Sequence, residues 1–249
     1  MPRMPSPSAI LALAFVLALS ACTRVVTVRA PMEDLPTASL DATGDGEAWW
    51  SIAFIMDWDR QEEPAWHLDT LLADQICAPA LAESRSHVRL WRFHRRAGHD
   101  KTGHRFSLLV YTDEQTADDL YGRVRENSVL RWLESDERVT SVTLTRMHAP
   151  EPPSIAGSSD SAWPPEIQAS WPWYIMGVSQ TWLSLIDQVK AEDPFEDTST
   201  AALLDYYATV NDRVSALWRN HGQHVYLHHL NALFGYAPLV IRETNLKRF

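Results

Sequence analysis

Four stretches of the chain are predicted to be β-strands, and in two of them apolar residues recur at every second position, which is typical of half-buried strands. In the first stretch, one face carries Trp50, Ile52, Phe54 and Met56. In the third, Phe106, Leu108 and Val110 alternate in the same way. The four predicted strands span residues 49–57, 87–96, 104–112 and 139–147.

Apolar residues with helical spacing lie between these strands. A helix is predicted from Pro64 through Ile76, and Pro79 is expected to end or kink it. Residues 112–115 (TDEQ) resemble a capping box and start a second helix that runs to Leu133. The order β-α-β-β-α-β predicts an α+β domain and resembles the ferredoxin-like split βαβ fold. By this resemblance such sheets often pair as dimeric α+β barrels or are covered by another element, so a homodimer is one expectation.

A different pattern begins after residues 149–165, which are rich in Pro and Ser. A helix is predicted over residues 175–190, and almost no charge appears between residues 168 and 186. A helix that is apolar on nearly all sides is buried. We therefore expect it to pack on the open face of the sheet and to cover Ile52, Phe54, Leu108 and Val110.

A long helix is predicted over residues 200–234, and its apolar stripe turns into His221, His224 and His228 on the same face. His224 and His228 can share one metal ion through their imidazole nitrogens, with His221 as a third ligand. The alternatives are partly buried, neutral histidines with hydrogen-bond partners, or a helix end that emerges into solvent. No HExxH-type glutamate accompanies them, which favours a structural role over a metal site.

Basic residues cluster in the predicted hairpin between the second and third strands. The candidate ligand-binding residues are Arg92, His94, Arg96 and His104. A hairpin folded about Asp100 places His94 almost opposite His104, where cross-strand Cβ atoms lie about 5 Å apart. These side chains can bind an anionic head group or a phosphate-bearing ligand through charge-assisted hydrogen bonds. The alternative is a solvated hairpin face balanced by acidic neighbours.

The first 21 residues have the three parts of a secretory signal. Arg3 supplies positive charge, residues 9–19 are uniformly apolar, and small residues follow. The apolar run is shorter than the roughly 20 residues that a membrane-spanning helix needs.

Residues Leu19, Ser20, Ala21 and Cys22 resemble the lipobox of bacterial lipoproteins, in which the cysteine is acylated and becomes the mature N-terminus. The resemblance implies that acyl chains on Cys22 anchor the protein to a membrane. Thr23 stands where the inner-membrane retention signal of these proteins has Asp. The resemblance therefore implies the outer membrane of a bacterial cell envelope, with the globular part in the periplasm. The alternative is an ordinary cleaved signal followed by a chance cysteine.

These patterns divide the chain into five parts. They are a signal peptide (1–21), a lipidated tether (22–47), a ferredoxin-like α+β domain (48–148), a linker rich in Pro, Ser and Trp (149–170) and a helical C-terminal region (171–249). Residues 239–242 are expected to add an edge strand.

Charge and cysteine content exclude some classes. The formal net charge of −10 argues against a general nucleic-acid binder. Cys77 is the only cysteine besides Cys22, so a lipidated chain has no intramolecular disulfide and no CxxC-type metal site. We expect Cys77 to be a small buried residue.

No catalytic motif of the GxSxG, P-loop or Rossmann type is present, and no motif identifies a cofactor. The leading interpretation is a non-catalytic, membrane-anchored lipoprotein that binds an envelope protein or a lipidic or aromatic ligand. The alternative is a metal- or haem-dependent enzyme or cofactor carrier of the dimeric α+β barrel type, which rests on fold analogy. A third interpretation is a structural envelope protein without a small ligand.

Overall fold

The computed structural model describes residues 46–59, 61–98, 103–147, 153–195 and 199–238. The signal segment, Cys22 and the predicted edge strand at 239–242 lie outside the described residues. Within the described ranges, no helix combines the length and the apolar character that crossing a membrane requires.

Four strands form one antiparallel sheet with the order β2-β3-β1-β4. The strands are β1 (Ala48–Met56), β2 (Leu90–Gly98), β3 (Gly103–Thr112) and β4 (Val139–Arg146). The sequence predicts all four strands, and alternation of apolar residues supports β1 and β3. The sheet and its helices confirm the α+β class.

The described residues contain seven α-helices. They are α1 (Trp66–Leu71), α2 (Ala78–Ser84), α3 (Glu114–Glu126), α4 (Ser128–Ser135), α5 (Pro165–Glu192), α6 (Thr200–Leu217) and α7 (Gln223–Leu233). The π-helical segments Leu72–Cys77 and Trp218–Gly222 join α1 to α2 and α6 to α7. A 3₁₀ turn, Ile155–Ser158, precedes α5.

One face of the sheet, here called the helix face, carries the main core. It presents Trp50, Ile52, Phe54 and Met56 of β1 beside Val110, Leu108, Phe106 and His104 of β3. Leu71, Leu120 and Leu133 from the covering helices are fully buried in the same cluster. Burial of each such side chain contributes about 1.5–3 kcal/mol, so this face holds most of the apolar stabilisation.

Pro79 does not end the first helix, which continues to Ser84 through the π-helical segment. A proline has no N–H to donate to the carbonyl four residues earlier, here that of Gln75. Asn127 Nδ2 donates to the Gln75 carbonyl at 2.9 Å. The helix therefore passes the proline because a side chain from the α3–α4 junction replaces the missing donor.

Helix α5 begins at Pro165, inside the segment predicted as a linker. Proline is favourable at the first helical position because that N–H has no intrahelical partner. Pro172, in the helix interior, cannot donate to the Gln168 carbonyl, and the Ser159 hydroxyl donates there instead at 2.8 Å. The first two turns of α5 are thus tied to the segment before it.

Helix α5 packs mainly along β2, the edge strand, and not over the middle of the sheet. Its Leu183, Ile186 and Val189 belong to the same core cluster as the four residues that it was expected to cover. The Ser179 hydroxyl accepts a hydrogen bond from the Phe93 backbone N–H at 3.1 Å, and the Trp182 ring meets that of Phe93 edge-on at 5.7 Å. The helix therefore protects a strand edge whose backbone would otherwise be open to another chain.

The opposite face of the sheet, here called the second face, is apolar only at one end. Trp49, Leu90, Leu109, Tyr111 and Ile155 form a small buried cluster there. Trp49 Nε1 donates to the Ile155 carbonyl at 2.8 Å. The 3₁₀ turn and the beginning of α5 therefore cap this end.

Helix α6 is held against the first helix by a buried polar network. The Tyr207 hydroxyl donates to Asp74, and Gln75 Nε2 donates to Asp74 Oδ2 at 2.7 Å. Lys190 of α5 pairs with the same carboxylate at 2.5 Å. Burial, followed by the Asp74 charge, raises the pKa of Tyr207 well above its ordinary value. The phenol therefore stays protonated as a donor.

Candidate functional site

An apolar groove of about 720 Å³ lies between α5 and the continuous helix formed by α6, its π-helical segment and α7. Phe93 and Arg95 of β2 contribute to its lining. Its apolar lining includes Trp173, Val178, Trp182, Trp218, Tyr226 and Leu230. Small-molecule sites typically enclose about 300–1,000 Å³ and are lined mainly by apolar and aromatic side chains. The groove has both properties.

Three polar side chains that line the groove are already engaged within the protein. Arg95 Nε donates to Asp69 at 2.9 Å, and its guanidinium lies 4.7 Å from the Trp182 ring centre. The hydroxyl of Ser179 donates to Ile175, and that of Thr181 donates to Gly177. The groove therefore offers apolar contact more than hydrogen bonds.

Among the described residues, the large apolar side chains that are exposed all belong to Ile167 or to later positions. Tyr174, Val178, Trp218, Val225 and Tyr226 are each 40–44% exposed, and all five line the groove. Contiguous apolar surface of this kind marks binding sites.

The apolar character of α5 predicts a fully buried helix, and that prediction is wrong for its outward side. Val178 and Tyr174 are exposed in the groove, whereas Leu183 and Ile186 are buried. Periodicity cannot separate a side chain that faces a core from one that faces an apolar groove. The groove was therefore not recognisable in the sequence.

The hairpin does not bring His94 and His104 together. His94 pairs with Ser107 and His104 pairs with Ala97. His104 therefore lies on the helix face, while Arg92, His94 and Arg96 lie on the second face. The predicted ligand set is split because a shift in register by one residue moves a side chain to the other face.

The three candidates that stay together join Arg105 of β3. Arg96 and Arg105 are direct cross-strand partners, and Arg105 is diagonal to His94. Burial lowers the pKa of Arg92. The pKa of exposed His94 lies below its ordinary value because surrounding side chains partly desolvate it and because Arg92, Arg105 and Arg96 repel its charged form.

His104 belongs to a buried ion network on the helix face. His104 and Asp69 are fully buried, and Nε2 of the histidine lies 3.0 Å from Asp69 Oδ1. Arg95 binds the other carboxylate oxygen, and its Nη2 donates to the Trp66 carbonyl at 2.7 Å. The network joins α1 to β2 and β3. We therefore assign His104 a structural role and not a ligand-binding one.

The three histidines of the long helix are exposed. Of the two structural alternatives, partly buried histidines are therefore wrong, and a helix end that emerges into solvent is confirmed. The rings of His224 and His228 stack with their centres 5.4 Å apart. His221 lines a cavity of about 130 Å³ beside the groove. In the part of the chain that the structure describes, no group of three or more His, Cys, Asp or Glu side chains could hold a metal ion.

Cys77 is fully buried, as predicted, and burial raises the pKa of its thiol far above its ordinary value. The thiol is therefore a packed core group and not a nucleophile.

No protein-family model, curated protein or solved structure matches the chain.

Proposed function

We propose that this chain is a periplasmic, outer-membrane lipoprotein that binds the hydrocarbon chain of a lipid in the groove between α5 and α6–α7. The observation that carries the proposal is an apolar groove of about 720 Å³. No catalytic step is part of this function.

A lipid chain suits the groove better than a polar ligand. Arg95, Ser179 and Thr181 already bond within the protein, so these three side chains offer little hydrogen bonding to the polar groups of a ligand. Apolar burial, by contrast, contributes about 25 cal/mol per Å² removed from water. A hydrocarbon chain in the groove buries apolar surface of both the ligand and the protein.

The anchor supports the same proposal. The lipobox-like residues 19–22 would place acyl chains on Cys22. Two or more chains hold a protein firmly at a membrane, whereas one gives marginal binding. An anchor of this kind would keep the groove next to membrane lipids, where the local concentration of its ligand is high.

For the domain itself we propose the ferredoxin-like split βαβ topology. The element order and the antiparallel strand order β2-β3-β1-β4 support it. The homodimer and the metal- or haem-dependent alternative stay predictions. Metal analysis of protein purified without an affinity tag tests the latter.

Quenching of tryptophan fluorescence tests the proposed function, because Trp173, Trp182 and Trp218 line the groove. The full chain, anchored on phosphatidylcholine vesicles, is titrated with a dibrominated fatty acid. We expect saturable quenching.

Gly177→Leu fills the groove, because Gly177 lines it and a Cβ there meets nothing within 4 Å. Leucine in place of a helical glycine does not weaken the helix. The matched control is Gly122→Leu in α3, where a Cβ also meets nothing within 4 Å. We expect Gly177→Leu to abolish the saturable component and the control to keep it. Equal quenching of both variants would reject the groove as the site.

A further inference from the structure

The second face of the sheet carries a cationic surface that the groove does not use. Arg92 and His94 of β2 lie on it, together with Arg105 and Ser107 of β3. His94 is directly opposite Ser107, and Arg92 and Arg105 are diagonal neighbours of this pair. We call these four residues the arginine face.

The arginine face concentrates positive charge in a chain whose formal net charge is −10. Arg105 stands directly opposite Arg96 on the neighbouring strand. Within the described ranges, neither Arg92 nor Arg105 forms an ion pair. Arg92 makes one long hydrogen bond, from Nη2 to the Ser158 carbonyl at 3.4 Å.

Three donor groups on this face are buried and have no partner. They are Nε of Arg92, Nε of Arg105 and the hydroxyl of Ser107. Ser107 is only 2% exposed, and its hydroxyl lies on the same face as both arginines. Buried donors without partners are uncommon because each costs about 1–3 kcal/mol. Among the described residues, two arginine side chains without an ion pair and three unpartnered donor groups therefore occur at the same place.

We propose that the arginine face binds an oxyanion, a phosphate or carboxylate group, between Arg92 and Arg105 and over the His94–Ser107 pair. The guanidinium groups each present a planar fork that matches two oxygens of such a group. The Ser107 hydroxyl donates a further hydrogen bond to an oxygen of the bound anion. A bound negative charge compensates the positive charges of Arg92 and Arg105.

This site is separate from the lipid groove. The groove is lined on the sheet side by Phe93 and Arg95, whose side chains lie on the opposite face of β2 from Arg92 and His94. Gly177→Leu should therefore leave oxyanion binding unchanged. Because the two sites share no residue, loss of binding at one leaves binding at the other intact.

The direct test follows the ¹H–¹⁵N signals of arginine Nε while inorganic phosphate is added to the full chain in zwitterionic detergent micelles. We expect the signals of Arg92 and Arg105 to shift saturably. Arg105→Gln should weaken phosphate binding about tenfold or more, because it removes a charged donor. Arg105→Lys keeps the charge but lacks the fork, and it should restore only part of the affinity.

The matched control is Arg123→Gln, which removes the same charge from an exposed pair with Glu83 on α3. We expect it to bind phosphate as the starting protein does. Unshifted Nε signals, or equal weakening by Arg105→Gln and Arg123→Gln, would overturn the proposal. The second outcome would show that overall charge alone attracts the anion.

A second arm distinguishes a free oxyanion from a lipid head group. The chain is anchored on phosphatidylcholine vesicles with or without phosphatidylglycerol, and phosphate affinity is measured again. Competition by phosphatidylglycerol that Arg105→Gln removes, but Arg123→Gln keeps, identifies a head group as ligand. Unchanged phosphate affinity identifies a soluble oxyanion.

Discussion

At the scale of single residues, Asp69 is the clearest case of a buried charge whose position is fixed by its partners. It is fully buried, and His104 and Arg95 bind its two carboxylate oxygens. A buried charge is tolerated only when it is paired and hydrogen-bonded. The sequence does not reveal that these three residues meet, since they come together only through the register of β3 and the position of α1.

We predict that Asp69→Asn destabilises the fold by about 3–5 kcal/mol, because it removes the charged partner from a buried network. Urea unfolding measures the change. Asp136→Asn, which breaks an exposed pair with Arg138, is the control and should cost less than about 1 kcal/mol. Similar losses for the two variants would mean that the Asp69 network adds nothing beyond a surface pair.

His67 and His94 set the expected pH dependence. Burial of His67, helped by the Arg138 charge, lowers its pKa, and partial desolvation with three nearby arginines does the same for His94. A histidine with a depressed pKa binds fewer protons folded than unfolded. Its contribution to stability is thus present above the unfolded pKa of about 6.5 and is lost as pH falls below that value.

We predict that Arg105→Gln raises the pKa of His94, because one repelling charge is gone, while Arg123→Gln leaves it unchanged. NMR titration of the histidine ring signals measures both. An unmoved His94 signal in Arg105→Gln would place Arg105 too far away to act on it.

At the scale of elements, two helices continue through prolines because other segments replace the missing donor. The Asn127 side chain donates to the Gln75 carbonyl, to which Pro79 cannot donate. The Ser159 hydroxyl donates to the Gln168 carbonyl, to which Pro172 cannot donate. Asn127 also caps α4, accepting from the backbone N–H of Val129 at 2.8 Å. A sequence rule stops a helix at proline, and it fails here because the compensating donors come from outside each helix.

We predict that Asn127→Ala costs about 2–4 kcal/mol in unfolding free energy, since it removes a helix cap and leaves the Gln75 carbonyl without that donor. Ser199→Ala, which removes the cap of α6, should cost about 1 kcal/mol. Chemical denaturation compares them. A loss for Asn127→Ala no larger than that for Ser199→Ala would assign the residue a capping role alone.

The strands and the α+β class could be predicted because alternation reports directly which residues face a core. The position of α5 could not, because its apolar surface fits a sheet face, an edge or a groove equally well. The histidine stripe misleads for a related reason. Its upstream part, with Tyr207 and Val210, is buried, but the helix runs beyond its packing partners before His224.

At the scale of the whole molecule, the proposed function joins an anchor at one end to a lipid-binding groove in the C-terminal helices. We predict that Cys22 carries the acyl chains and that Cys22→Ser does not. Cells given a labelled fatty acid should label the starting protein alone. Equal labelling of the starting protein and Cys22→Ser would contradict the lipoprotein assignment. It would not bear on lipid binding in the groove.

The most direct test of the lipid-binding claim is native mass spectrometry of the full chain, purified from membranes without an affinity tag. Acyl chains on Cys22 would add mass that survives denaturation, whereas a lipid in the groove adds mass that is lost. We predict one lost lipid per chain for the starting protein and for Gly122→Leu, and none for Gly177→Leu. Absence of a bound lipid from the starting protein, or its retention by Gly177→Leu, would contradict the account.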